Sequence, residues 1–98
     1  MTTQIFAGSR GTGKTRKLLE LAEKYNAIVI SPFKSALQVK AHALGYNLTI
    51  LNFNDYFLNY NEEYLGRKIV VDNASEVLAA VVNYQNGGNE LIGITVDD

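Results

Sequence analysis

The sequence predicts an α/β domain, a three-layer αβα sandwich around a five-stranded, mainly parallel sheet. Three observations carry that expectation. Apolar runs of strand length alternate with segments of helical periodicity along the chain. The run Ala27-Ile28-Val29-Ile30 contains no charged residue, as suits a strand buried on both faces. The connections are short, and crossovers between parallel strands are right-handed, which places helices against the sheet.

Taken in order, Gln4-Ile5-Phe6-Ala7 is the first strand. A helix follows from Gly13 to about Tyr25, with Leu18, Leu21, Ala22 and Tyr25 on one stripe. Ala27 to Ile30 is the second strand. Ser31-Pro32 reads as a helix start, a capping hydroxyl followed by proline at the first helical position. Phe33, Leu37, Ala41 and Leu44 then form the expected buried stripe, and Gly45 the stop. Leu48 to Leu51 is the third strand. Asn54 or Asn52 caps a third helix with Phe53, Phe57, Tyr60 and Tyr64 near one side, ended by Gly66. Lys68 to Val71 is the fourth strand and Ala74 to Tyr84 a fourth helix. Residues 86–89 form a turn, and Leu91 to Val96 is the fifth strand.

Length and composition bound the function. Ninety-eight residues argue for a single domain, residues 1–98, large enough to bury a core. With 47% hydrophobic and 19% charged residues the chain has a globular composition, and no apolar run approaches a membrane span. No cysteine is present, so a disulfide framework and a thiolate metal site are excluded. The first residues do not resemble a signal peptide, and the expected location is the cytoplasm. Residues 1–50 carry seven basic and two acidic side chains, +5, while residues 51–98 carry two basic and eight acidic, −6. A basic front half suits a triphosphate ligand and also admits nucleic acid as a partner.

The chemistry-bearing segment is Gly8-Ser9-Arg10-Gly11-Thr12-Gly13-Lys14-Thr15, which fits G-x-x-x-x-G-K-[ST], the P-loop pattern. Glycines let backbone N–H groups turn toward phosphates without a Cβ in the way. The helix that follows adds its positive dipole end. Lys14 is expected on the β- and γ-phosphates and the Thr15 hydroxyl on Mg²⁺, with Arg10 and Arg16 beside the nucleotide. Such a site also needs a carboxylate at the carboxyl end of a neighbouring strand. Asp72, directly after Ile69-Val70-Val71, is that candidate, holding Mg²⁺ through water. The next residue is Asn73, and an amide cannot accept a proton, so a missing base costs roughly 10²–10⁴ in rate. Three readings stay open: hydrolysis is slow, Glu76 stands in as the catalytic carboxylate, or a partner supplies the group. Asn73 as a helix cap is compatible with all three.

The segments Gly8 to Thr15, Ile30-Ser31-Pro32-Phe33-Lys34-Ser35-Ala36 and Val70-Val71-Asp72-Asn73-Ala74-Ser75 together resemble the first RecA-like domain of superfamily 1 helicases. That family shows a G-T-G-K-T loop, an A-P-[ST]-x-x-A segment and a D-E-A-[SQ] motif. The resemblance covers most of the chain, and only the P-loop within it is specific. It implies a P-loop NTPase core of the RecA-like branch, with ATP or another nucleoside triphosphate and Mg²⁺ as ligands. It also implies a nucleic-acid contact at Lys34, against which stands the plain reading of a solvated lysine on the second helix. Asn73 departs from the family's glutamate, and the 98 residues hold no second RecA-like domain. The resemblance therefore implies slow or partner-dependent hydrolysis, with another subunit or a second copy completing the site. Thr95 falls where related ATPases place a polar γ-phosphate sensor.

Two other function classes remain beside the ATPase: a module that binds nucleotide without hydrolysing it, and a nucleoside or nucleotide kinase. The kinase usually needs a lid with arginines, and Arg67 is the only arginine beyond residue 16. His42 has no carboxylate or serine partner in the pattern and reads as structural or exposed. The tyrosines and phenylalanines from Phe53 to Tyr64 read mostly as core, with an edge available to a partner or to a base. So compact a P-loop chain suits a phage or a mobile element.

Overall fold

A computed structural model describes residues 4–8, 13–58, 62–64, 66–72 and 90–97. The expected fourth helix and the turn at residues 86–89 lie outside the described residues, as does Tyr60. The described part is a small α/β domain with one five-stranded sheet, parallel at every pairing. The elements are β1 (Gln4–Gly8), α1 (Lys14–Tyr25), β2 (Ile28–Ile30), α2 (Lys34–Ala43), β3 (Ile50–Leu51), α3 (Phe53–Leu58), a 3₁₀ turn (Glu62–Tyr64), β4 (Ile69–Val71) and β5 (Leu91–Asp97). Among the described residues, no helix is long and apolar enough to cross a membrane.

The strand order is β1-β5-β4-β2-β3. The period of two along each strand divides the core between the two sheet faces. Val29, Val70, Ile92 and Ile50 pack with Leu18, Leu19, Leu21 and Ala22 of α1 and with Leu37 and Ala41 of α2. Ile28, Ile30, Leu51, Ile69, Val71, Leu91 and Ile94 form a second cluster with Tyr56 of α3. Between β4 and β5 the register slips, pairing Ile69 with Leu91 but Val70 with Gly93. The extra residue, Ile92, is accommodated by this bulge and joins the α1 side of the core.

Three helix expectations are corrected. α2 begins at Lys34 rather than at Pro32, because Ser31 still belongs to the sheet edge, its N–H bonded to the Leu51 carbonyl at 2.9 Å. Pro32 and Phe33 form the turn, and Phe33, expected in the buried stripe, is 57% exposed. The third helix is not continuous to Gly66: α3 stops at Leu58 and a separate 3₁₀ turn follows. Residues 59–61 and 65 lie outside the described residues. Of the two proposed caps, Asn52 is the one used. Its Oδ1 accepts the Asp55 N–H at 2.7 Å, and Asp55 Oδ2 accepts the Asn52 N–H at 3.3 Å, a reciprocal box. Tyr56 joins the second core cluster, with the expected Phe53 and Tyr64 packed against it; the side chain of Phe57 lies outside the described residues.

Candidate functional site

The site lies at the carboxyl end of the sheet. β1 runs up to Gly8, and α1 departs from Gly13 and Lys14, so the amino end of α1 sits beside the ends of the strands. Gly13 has φ 77°, a left-handed conformation that costs glycine nothing and lets the chain reverse into the helix. Its carbonyl accepts the Lys17 N–H at 3.1 Å, the first bond of that helix. Ser9, Arg10, Gly11 and Thr12 lie outside the described residues, as do Asn73 and Glu76.

Period-two geometry brings three polar side chains to one point. Val29, Val70 and Gly93 lie on the α1 side of the sheet, so the residues two further on, Ser31, Asp72 and Thr95, face the same way. Ser31 and Asp72 directly follow β2 and β4, and Thr95 lies two residues before the end of the neighbouring β5. All are buried: Ser31 is 0%, Thr95 1% and Asp72 6% exposed. A buried carboxylate must be hydrogen-bonded, and this one is bonded on both oxygens. Thr95 Oγ1 donates to Asp72 Oδ1 at 2.8 Å, and Thr15 Oγ1 donates to the same oxygen at 3.3 Å. Ser31 Oγ donates to Asp72 Oδ2 at 3.3 Å. The carboxylate is also held from its own backbone, since the Asp72 N–H bonds the Ile30 carbonyl at 2.8 Å.

The expected residues are distributed unevenly. Gly8, Gly13, Lys14, Thr15 and Asp72 converge at this end, with Lys14 and Thr15 half-buried on the first turn of α1. Arg16, expected beside the nucleotide, is exposed and pairs along the helix with Glu20 at 3.5 Å. Lys34, the candidate nucleic-acid contact, is bridged to Asp55 at 2.8 Å, and that lysine holds the Asp55 carboxyl below its usual range. His42 is exposed on α2. Asp72 was expected on a strand neighbouring that of the glycine-rich loop. Instead β5 lies between β1 and β4. The carboxylate still reaches Thr15 because it rises from the end of its strand beneath the start of α1.

Thr95 was expected to sense a phosphate, and its described bond is to Asp72. Ser31 was read only as a helix cap, and its bond to Asp72 was missed. A signal for both was present. Ser31 and Asp72 directly follow the apolar runs of β2 and β4, and Thr95 interrupts the apolar run of β5, each where an apolar residue would otherwise extend the core.

Comparison with family models, with curated proteins and with solved structures found no match.

Proposed function

We propose that the chain is a Mg²⁺·ATP-binding P-loop NTPase of the RecA-like branch, with slow or partner-dependent hydrolysis. The observation that carries this reading is the approach of Thr15 to Asp72 within 3.3 Å, across 57 residues of sequence, at the amino end of the helix that follows Gly8 to Gly13. A hydroxyl and a carboxylate are hard oxygen donors, and Mg²⁺ is characteristically held by one or two such groups together with water and substrate phosphates. Thr15 and Asp72 fit that ion. When bound, it would neutralise charge on the terminal phosphates. The chain's own part is positional: the start of α1 presents backbone N–H groups and its dipole to an anion, and Lys14 adds a full charge beside them. ATP is named over other nucleoside triphosphates on the helicase resemblance alone.

A second reading, nucleotide binding without turnover, is favoured by Asn73 directly after Asp72, since an amide cannot serve as general base. One experiment divides the two. Mg²⁺·ATP is titrated calorimetrically into the wild type and Lys14→Ala, and phosphate release is followed in the same samples. The P-loop reading expects binding to weaken by about 10–100-fold in Lys14→Ala, the worth of a charged hydrogen bond. Equal binding by both proteins, or none by the wild type, would overturn it. Release that vanishes with Lys14 selects the ATPase; binding with no release selects the switch or a subunit awaiting its partner.

A further inference from the structure

We propose that Ser31 is a positioning residue that couples the Asp72 carboxylate to the turn launching α2, so that metal–nucleotide occupancy is felt at Phe33. The inference rests on the nucleotide-site reading above and goes beyond it, because that reading gives Ser31 no role.

Ser31 is wholly buried, and its backbone is pinned to the sheet by the bond to Leu51. Its hydroxyl therefore has little freedom except rotation of its proton. That proton is directed to Asp72 Oδ2 at 3.3 Å, while Ser31 Oγ itself accepts the Phe33 N–H at 3.0 Å. Both bonds share one atom, and a hydroxyl that donates more strongly also accepts more strongly. The carboxylate is held asymmetrically, by Thr15 and Thr95 on Oδ1 and by Ser31 on Oδ2. Of the three donors, Ser31 therefore fixes the second oxygen and with it the tilt of the carboxylate plane. With a cation held by Thr15 and Asp72, that carboxylate would pull less strongly on the Ser31 proton.

The change reaches the surface within two residues. Phe33 is exposed, and Lys34, the first residue of α2, bridges to Asp55 at 2.8 Å. Asp55 in turn belongs to the capping box of α3. A continuous series of bonds thus runs from Asp72 through Ser31 and the Phe33 turn to the starts of both α2 and α3. Its accessible output is the aromatic face of Phe33.

The test uses the whole chain labelled with ¹⁵N, titrated first with ATP in chelator and then with Mg²⁺. In the wild type the Phe33 amide resonance is expected to move at the Mg²⁺ step. In Ser31→Ala that movement is lost, and the gain in ATP affinity on adding Mg²⁺ falls about tenfold, the usual effect of removing an outer-shell partner of a metal ligand. ATP affinity in chelator is expected to stay unchanged, which a general loss of structure would not allow. A Phe33 amide unmoved by Mg²⁺ in the wild type overturns the proposal without any mutant. So does a Ser31→Ala protein whose Mg²⁺ response equals that of wild type. Failure of the underlying reading looks different: ATP then does not bind the wild type, or binds Lys14→Ala equally well, and the role of Ser31 falls with it.

Discussion

Two carboxylates at opposite ends of the sheet, Glu90 and Asp72, are held in opposite ways. At the amino end, Lys68 and Glu90, each directly before its strand, pair at 2.9 Å with both side chains more than a third exposed. Arg67 beside them donates to the Asn26 carbonyl at 3.1 and 3.3 Å and to Thr49 Oγ1 at 3.3 Å. Positive and negative groups there meet each other or a carbonyl at the surface. At the carboxyl end, Asp72 is buried and its partners among the described residues are three hydroxyls. Hydroxyls satisfy the lone pairs of a carboxylate and bring no positive charge. Glu90 is therefore matched by a full positive charge at the surface. Asp72 is instead buried against hydroxyls, without a side chain of opposite charge among its described partners.

The largest expected effect breaks or makes this contrast directly. Asp72→Asn keeps the shape and removes the charge. The gain in nucleotide affinity on adding Mg²⁺ should fall by at least about 10–100-fold. The urea midpoint should stay level or rise, because no buried charge remains to be desolvated. A clear loss of stability with an unaltered Mg²⁺ response would mean that Asp72 is a structural group like those at the other end.

A smaller effect is expected midway along β5. A Cβ on Gly93 would lie 2.7 Å from Leu21 Cδ2, 3.1 Å from Leu18 Cδ1 and 3.3 Å from Val70 Cγ1. Absence of that carbon lets α1, the element carrying Lys14 and Thr15, settle closely on the sheet. Gly93→Ala should cost about 1–3 kcal/mol by overpacking, read as a lower urea midpoint. It should also weaken the Mg²⁺ response, because lifting α1 moves Thr15 away from Asp72. The Lys68–Glu90 pair, away from that contact, should titrate as in the wild type.

The smallest effect belongs to the amino end. Lys68 holds the Glu90 carboxyl down at about 2, from an ordinary value of 4.5. A depressed acid contributes stability that is fully present above its unfolded value and lost as pH falls through the folded one. The contribution of Glu90 should therefore be complete above about pH 4.5 and decline toward pH 2. Asp55, depressed by Lys34, adds in the same direction. Thermal midpoints across that window should fall less in Glu90→Gln than in wild type, and the difference should shrink in salt. A difference as large as that of Gly93→Ala would show the exposed pair to matter more than its setting allows.

Much of this was legible in the sequence, for identifiable reasons. Ile28 to Ile30 and Ile69 to Val71 are short apolar runs with nowhere to go but a buried sheet, and all five strands fall where such runs stand. The stripe Leu18, Leu21 and Ala22 announced the buried side of α1, and Gly45 the end of α2. Thr15 and Asp72 were both singled out from the sequence, and the structure brings them within 3.3 Å. The start of α2 was misread because Ser31-Pro32 is an equally good signal for a turn, and only the bond from Ser31 to Leu51 chooses between them. The extent of α3 was overread because aromatic spacing continues past Leu58, and it does not distinguish an α-helix from the 3₁₀ turn found at Glu62–Tyr64.

By itself the sequence determined which segments are strands and helices, which faces are apolar and which residue types stand at the strand ends. Those properties depend on neighbours within a few positions, and composition and periodicity encode them. The tertiary structure alone decided that β5 separates β1 from β4, that Gly93 admits α1 to the sheet, and that Ser31, Thr95 and Thr15 share one carboxylate. These hydroxyls lie 41, 23 and 57 residues from Asp72. No local preference can express such meetings, because they follow from the order in which strands pair, and that order is set by burial summed over the whole domain.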